Sequence, residues 1–380
     1  MKRFLLAAAM VAATSLTAHA QLTLTQIASV DLGNSANLAT VIPSNTFGNN
    51  PYALAWDGTD AYVAGVGSNT GIIRISNAIT APAYGTVFGT TTSQITGLAV
   101  SGSNVYAAST PAGATSVRSF TSAGTLNWNI TDATQRAEGV AINPGLNGTG
   151  TTAGGVSFLS NGAGRVRTLN ATTGAYIANN TNGNGGVINF SPTATVWRDL
   201  AFDPATGDVY TRESNRIGKA VRIADSGGNA YSGTASTVLA PLTQTGAPGG
   251  QFQQSIAFMN TPNNGSLLVA NDNNNGAIAN FTDVVKFFTT SGTEVVPTWS
   301  FLSGTDVNGF NFFNPSGTKR YDFGYSATNN TLAVTDSANR RLYIFSAAAP
   351  VVVPETGTLS LLAVGFATLG GIVLKKRKAA

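Results

Sequence analysis

Short runs in which apolar and polar residues alternate occupy the chain from Gln21 to Ala349. Examples are Ala61-Tyr62-Val63-Ala64 and Asn104-Val105-Tyr106-Ala107, and the segments between such runs are rich in Gly, Asn, Asp and Pro. Alternation with a period of two is typical of β-strands, and the residues between the runs are typical of tight turns. We therefore predict an all-β domain.

One unit recurs six times along this domain. It consists of an apolar residue, a small residue and a turn, followed by a second and a third strand. We call the apolar residue the anchor of its unit. The anchors are Leu54, Leu98, Val140, Leu200, Ile256 and Phe323, spaced 44, 42, 60, 56 and 67 residues apart. The sixth copy, Asp322-Phe323-Gly324-Tyr325, is degenerate.

Units of this length, packed around an axis as four-stranded sheets, predict a six-bladed β-propeller. The expected blades lie near residues 50–92, 93–133, 134–192, 193–243, 250–304 and 318–346. The last unit ends after its third strand, so we expect the strand-like segment 22–32 to supply the fourth strand and close the ring. A β-sandwich, a solenoid, and rings of five or seven blades are the alternatives.

The repeated Leu-Ala-aromatic-Asp-Pro/Gly strand, as in Leu200-Ala201-Phe202-Asp203-Pro204, resembles that of NHL, YVTN and SMP-30-like propellers. The resemblance covers roughly residues 22–346. It implies a propeller but no single activity, because such propellers include hydrolases, lactonases and binding scaffolds.

The first twenty residues have the order of a secretory signal peptide. Lys2 and Arg3 precede an apolar run from Phe4 to Ala13, and Ala18-His19-Ala20 precedes Gln21. We expect export through the Sec translocon and cleavage by signal peptidase between Ala20 and Gln21.

The C-terminal segment 350–380 contains a proline-acidic motif, an apolar stretch and a basic tail. The motif is Val353-Pro354-Glu355-Thr356-Gly357, the stretch is 358–374, and the tail is 375–378. About 17 apolar residues suffice for a transmembrane helix, and a basic tail stays on the cytoplasmic side.

This arrangement resembles the PEP-CTERM sorting signal of exosortase substrates. Thr356 stands where that family usually has a second proline, and it makes the motif similar to a sortase signal as well. Both resemblances imply processing near the motif and transfer to the cell surface or extracellular matrix. A permanent single-span anchor is the alternative.

Charge and composition narrow the functional classes. The full chain has 21 Lys and Arg against 17 Asp and Glu, but six basic residues and Glu355 lie in the targeting segments. The remaining domain has 15 against 16, a net charge of −1, so nucleic acid is not an expected partner.

Cysteine is absent and the single histidine, His19, lies in the predicted signal peptide. Nucleophilic catalysis with an imidazole base and thiolate or imidazole zinc sites are therefore excluded for the domain. Carboxylate chemistry, or a hard cation with oxygen ligands, remains open.

The innermost strands of a propeller border its central channel. We therefore expect the residue two places before each anchor to lie near one channel mouth: Tyr52, Thr96, Glu138, Arg198, Gln254 and Tyr321. This ring would suit a polar ligand, or its members would only hydrogen-bond across a solvated channel.

The SMP-30-like resemblance implies a channel metal held by a carboxylate such as Glu138, with Asp199, Ser255 and Asp322 as further candidates. Side chains alternate along a strand, however, so positions one and two before an anchor are expected on opposite faces.

The loops 180–185 and 271–276 have a residue spacing similar to that of calcium loops, but they carry neutral Asn and no terminal Glu, so we interpret them as turns. No cofactor is expected, and Ca²⁺ is the one that stays open.

Two functions follow from these observations. The first is a non-catalytic surface or matrix module that binds polysaccharide or another surface protein, with a sensor or assembly module as a variant. The second is a metal-dependent hydrolase or lactonase with its site at the channel mouth.

The four Trp residues are expected in blade cores, and any exposed one would be a stacking platform for sugars.

Overall fold

The computed structural model describes 17 segments of the chain, and they contain 27 β-strands. The described segments are 22–32, 51–65, 70–92, 94–110, 115–132, 136–144, 155–161, 165–177, 188–189, 197–213, 216–222, 236–239, 255–262, 265–271, 285–302, 321–337 and 340–348. The predicted signal peptide and the predicted sorting segment lie outside them. Among the described residues, no helix has the length and apolar character needed to cross a membrane.

The strands form six sheets, which confirms the predicted six-bladed propeller. Blade 1 contains β2 (Pro51–Trp56), β3 (Ala61–Gly65), β4 (Thr70–Ser76), β5 (Ala83–Tyr84) and β6 (Phe88–Thr91). Blade 2 contains β7 (Gln94–Ser101), β8 (Asn104–Thr110), β9 (Thr115–Thr121) and β10 (Leu126–Asp132). Blade 3 contains β11 (Arg136–Asn143), β12 (Gly155–Asn161), β13 (Arg165–Asn170), β14 (Tyr176–Ile177) and β15 (Ile188–Asn189).

The other three blades follow the same order from the axis outwards. Blade 4 contains β16 (Trp197–Phe202), β17 (Val209–Glu213), β18 (Ile217–Ala220) and β19 (Ser236–Leu239). Blade 5 contains β20 (Ile256–Thr261), β21 (Gly265–Asn271), β22 (Val285–Thr289) and β23 (Glu294–Val295). Blade 6 contains β25 (Tyr321–Ser326), β26 (Thr331–Asp336) and β27 (Arg341–Ala348), and is completed by β1 (Thr23–Asp31) and β24 (Thr298–Ser300).

The N-terminal strand closes the ring. β1 pairs antiparallel with β27, from Thr23 opposite Ala348 to Asp31 opposite Arg341. Its outer edge pairs in parallel with β24, so three residues of that edge are also hydrogen-bonded. Residues from the two ends of the domain therefore share one sheet, which joins blade 6 to the start of the chain.

The hydrophobic core is divided into six clusters, one at each contact between neighbouring blades. Alternate residues of a strand point to opposite faces, so each anchor packs toward the preceding blade and the small residue after it packs toward the next. Leu54 packs against Ile344 of blade 6, for example, and Ala55 faces the cluster that contains Leu98 of blade 2. The apolar-small pair of the repeat thus matches two faces with different neighbours.

The acidic residue of the repeat shapes a turn. Asp57 Oδ1 accepts hydrogen bonds from the backbone N–H groups of Thr59 and Asp60 at 2.8 and 2.7 Å. Asp203 Oδ1 accepts from Ala205 and Thr206 at 2.8 and 3.3 Å. Both are the side-chain-to-backbone contacts with which aspartate stabilises tight turns.

Candidate functional site

The central channel encloses about 210 Å³ and is lined by the innermost strands of all six blades. Each position of the repeat forms a ring around it. The anchors form one ring and the small residues after them form the next: Ala55, Ala99, Ala141, Ala201, Ala257 and Gly324. A third ring is largely aromatic and consists of Trp56, Val100, Ile142, Phe202, Phe258 and Tyr325.

The chemistry of the channel lies one place before the anchors. In blade order, the residues there are Ala53, Gly97, Gly139, Asp199, Ser255 and Asp322. Polar side chains therefore occupy only the half of the ring that blades 4, 5 and 6 form, and we call these three residues the carboxyl bridge.

Asp199 connects blade 4 to blade 5. Its Oδ1 accepts a hydrogen bond from the backbone N–H of Leu200 at 2.9 Å. Its Oδ2 accepts one from the N–H of Ile256 at 3.0 Å and one from Ser255 Oγ at 2.8 Å.

Asp322 connects blade 6 to blade 1 in the same way. Its Oδ1 accepts from the N–H of Phe323 at 2.9 Å and lies within hydrogen-bond distance of Ser255 Oγ. Its Oδ2 accepts from the N–H of Leu54 at 2.6 Å. Each carboxyl group thus binds one N–H of its own strand and one of the following blade.

Burial raises the pKa of both carboxyl groups. For Asp199 the pKa rises from 3.8 to about 6, although hydrogen bonds from Ile256, Ser255 and Leu200 oppose the effect of burial. The pKa of Asp322 rises well above its usual range because of burial and the nearby charge of Asp199. Among the described residues that line the channel cavity, none is Lys or Arg.

Glycine at the same position in blade 3 makes room for the carboxyl bridge. A Cβ on Gly139 would lie 2.5 Å from Asp199 Oδ1 and 2.8 Å from Asp199 Cα. Such distances are far below van der Waals contact, so any side chain at 139 would displace β16 or its carboxyl group.

Four members of the predicted ring two places before the anchors are described in full. Tyr321 is buried in the core between blades 5 and 6, and Tyr52 packs against the core between blades 1 and 2. Thr96 Oγ1 donates to Ala137 O at 2.8 Å, which joins blades 2 and 3. Glu138 is buried in β11. Of these four residues, none lines the channel cavity.

The side chains of the two remaining members of that ring lie outside the described residues. Arg198 lies in β16, but its side chain is outside the described part of the chain, as is all of Gln254. The carboxyl-bridge residues, which the alternation rule separated from this ring, are the ones that converge. The sequence does carry a pattern that indicates the carboxyl-bridge residues, because two acids and a hydroxyl residue stand immediately before three consecutive anchors.

Other acidic residues serve the scaffold. Asp60 pairs with Arg74 and accepts the N–H of Asn77 at 3.0 Å. Asp208 holds the equivalent place in blade 4, where it pairs with Lys219 at 2.8 Å and accepts the N–H of Arg222 at 2.9 Å.

Of the two Asn-rich loops, 180–185 lies outside the described residues. Of 271–276, only Asn271 is described, and its Oδ1 accepts the N–H of Ser255 at 2.8 Å. Among the described residues, no group of three or more His, Cys, Asp or Glu side chains is placed to bind a metal.

The side chains of Trp56, Trp128 and Trp299 are described, and all three contact protein groups. Trp56 Nε1 donates to Thr331 Oγ1 and Trp128 Nε1 donates to Ala171 O, both at 2.9 Å. Trp299 packs between Phe301 and Phe345.

No protein-family profile matches the chain, and no curated protein matches it. Solved structures do resemble it. An auxiliary nutrient binding protein from Bacteroides thetaiotaomicron is 14% identical with a TM-score of 0.52, covering 80% of this chain and 69% of its own. The protein of the same description from Bacteroides ovatus is 11% identical with a TM-score of 0.50 and the same coverage.

A putative phosphatase from Bacteroides thetaiotaomicron is 13% identical with a TM-score of 0.51, covering 86% of this chain and 79% of its own. At these identities the likeness extends to the fold alone.

Proposed function

We propose that this protein is an exported, surface-anchored or exopolysaccharide-associated propeller that acts as a non-catalytic binding or structural module. The carboxyl bridge is the observation that carries the proposal. Asp199 and Asp322 each accept backbone N–H groups from two blades, so the acids of the channel are engaged in joining blades. Asp57 and Asp203 accept N–H groups of their own turns, and Asp60 and Asp208 form ion pairs within their own blades.

The location rests on the two ends of the sequence. The segment 1–20 has the charge, apolar core and small-residue exit of a signal peptide, and 353–378 has the motif, apolar stretch and basic tail of a sorting signal. An exosortase-type or sortase-type enzyme is the expected processing partner. The fold is shared with proteins described as nutrient binding, which suits a binding module.

One observation favours a hydrolase as the second candidate. Two carboxyl groups with raised pKa values line a cavity, and such pairs serve as acid and base in hydrolytic enzymes. In that case Asp199 would be the group that exchanges protons near neutral pH.

The binding module and the hydrolase predict different effects of Asp199→Asn on substrate turnover. The full-length chain is produced with its own signals, and its retention in the extracellular matrix is measured together with hydrolysis of a lactone and of p-nitrophenyl phosphate. For a binding module, Asp199→Asn and the control Asp60→Asn are retained equally and neither substrate is turned over above buffer. Turnover by the wild type that Asp199→Asn alone abolishes, with the fold unchanged by circular dichroism, would replace the module by the enzyme.

A further inference from the structure

The hydroxyl group of Ser255 lies between two carboxyl groups. Ser255 Oγ is 2.8 Å from Asp199 Oδ2 and within hydrogen-bond distance of Asp322 Oδ1. A serine hydroxyl has one proton, so it donates to only one of these oxygens. The other oxygen forms a hydrogen bond with Oγ only if the carboxyl group itself is protonated.

Full ionisation of the bridge would leave an acceptor facing an acceptor inside a buried site. Two carboxylates this close also repel each other, and the described part of the cavity lining contains no Lys or Arg to offset their charges. Backbone N–H groups stabilise one negative charge but do not supply the missing donor between Asp322 and Ser255.

We propose that at neutral pH the carboxyl bridge holds a single shared proton, carried by Asp322 and donated to Ser255, while Ser255 donates to an ionised Asp199. The proton lies between residues of blades 6 and 5, and Ser255 links it to Asp199 of blade 4. Asp322 also accepts the N–H of Leu54, which belongs to blade 1. Ring closure of the propeller is therefore coupled to pH.

The proton is assigned to Asp322 because Asp199 accepts hydrogen bonds from two backbone N–H groups and from Ser255 Oγ, which stabilise its ionised form, whereas Asp322 accepts two backbone N–H groups only. The charged residues on the strands around the bridge are Arg136 and Glu138 on β11, Arg198 on β16, Arg212 and Glu213 on β17, and Asp336 on β26. Asn271 lies between Arg212 and the bridge, since Arg212 Nη2 donates to Asn271 O at 3.0 Å and Asn271 Oδ1 accepts from Ser255.

The sign of the pH effect follows from the direction of the shift. The folded chain retains on Asp199 a proton that the unfolded chain releases between pH 3.8 and about 6, so folding becomes less favourable as pH rises through this window. The difference of about 2.2 pKa units for Asp199 alone corresponds to a fall of roughly 150-fold in the folding equilibrium constant, and the proton that Asp322 retains lowers the constant further. Above the window the constant continues to fall, because folded Asp322 still holds a proton that the unfolded chain has released, and it levels off only after that proton leaves.

The test uses the full chain labelled with ¹³C at the aspartate carboxyl carbons. Carboxyl resonances are followed by NMR from pH 3.5 to 8.5, and denaturant unfolding is measured over the same range. We expect one aspartate to titrate near pH 6 and a second to remain protonated at pH 7. Asp322→Asn should remove the second signal and leave the first.

Ser255→Ala and Ser157→Ala form a matched pair of buried serines. Ser157 Oγ shares a hydrogen bond of 2.7 Å with Thr168 Oγ1 in blade 3, so its partner is a hydroxyl group and not a carboxyl group. The hydrogen bond that Ser255 donates lowers the pKa of Asp199, so Ser255→Ala should move the titration of Asp199 to higher pH. Ser157→Ala should lower stability equally at every pH.

The proposal is overturned if all aspartates are ionised at pH 7. It is also overturned if folding becomes more favourable from pH 4 to 7, or if the two serine variants show the same pH profile. If Ser255→Ala does not fold, the resonances of the wild type and Asp322→Asn still decide.

Discussion

Replacement of Gly139 by Ala tests whether close approach of blades 3 and 4 is what positions the carboxyl bridge. The new Cβ would lie 2.5 Å from Asp199 Oδ1, 2.8 Å from Asp199 Cα and 3.1 Å from Leu200 Cδ2. A carboxyl oxygen can rotate away, but the Cα belongs to the backbone of β16. One of the two blades must therefore shift.

The size of the effect combines two contributions. Overpacking of a tight core costs about 1–3 kcal/mol. Displacement of Asp199 would also weaken its bonds to Ile256 and Ser255, and hydrogen bonds to charged groups contribute about 1.5–3 kcal/mol each. We expect Gly139→Ala to lower the free energy of unfolding by about 3 kcal/mol, near the upper end of the overpacking range.

The assay is urea unfolding at constant pH, with the midpoint and the slope both fitted. Gly102→Ala is the control, because Gly102 has φ of +56° and no atom within 4 Å of its would-be Cβ. That substitution costs only the backbone strain of a left-handed alanine, about 1 kcal/mol. A loss for Gly139→Ala no greater than that for Gly102→Ala would refute the account of close blade approach.

Three further predictions concern the ring closure, the turns and the C-terminus. Leu24 is fully buried between blades 5 and 6, so Leu24→Ala should cost about 2–5 kcal/mol in urea unfolding, against less than about 0.5 kcal/mol for half-buried Thr25→Ala. Asp203→Ala removes the acceptor of two turn N–H groups and should cost about 1 kcal/mol in the same assay; an unchanged midpoint would contradict the turn role. Mass spectrometry of the surface form should find no residue beyond 357, and an intact segment 358–380 would refute processing.

The blades could be predicted because the same contacts fix the same residue types in every repeat. An anchor such as Leu200 and its small partner Ala201 face different neighbouring blades, and both requirements recur in every unit. Asp203 marks the turn that follows. These contacts are local or equivalent from blade to blade, so a pattern of residue types records them.

The channel chemistry could not be predicted in the same way, because it depends on register and on the spacing between blades. Register shifts occur just before the anchor in four innermost strands: Pro51/Ala53, Ile95/Gly97, Ala137/Val140 and Trp197/Asp199. Simple alternation does not hold across such irregularities. The contact of β24 with β1 was also not predicted, since three residues after blade 5 give no distinct pattern.

The unequal halves of the channel follow from this geometry. Backbone N–H groups of four anchors, Leu54, Leu200, Ile256 and Phe323, donate to the two carboxyl groups of the bridge. On the opposite side, a Cβ on Gly97 would lie 2.8 Å from the backbone N of Val140, so blades 2 and 3 approach by backbone contact instead. In one half of the ring, the blades are therefore joined by hydrogen bonds to the carboxyl groups and by a proton. In the other half they are joined by close packing. We expect only the half with the carboxyl bridge to respond to pH. In an alkaline medium the ring should therefore open first at the contact between blade 6 and blade 1, beside the closing strand.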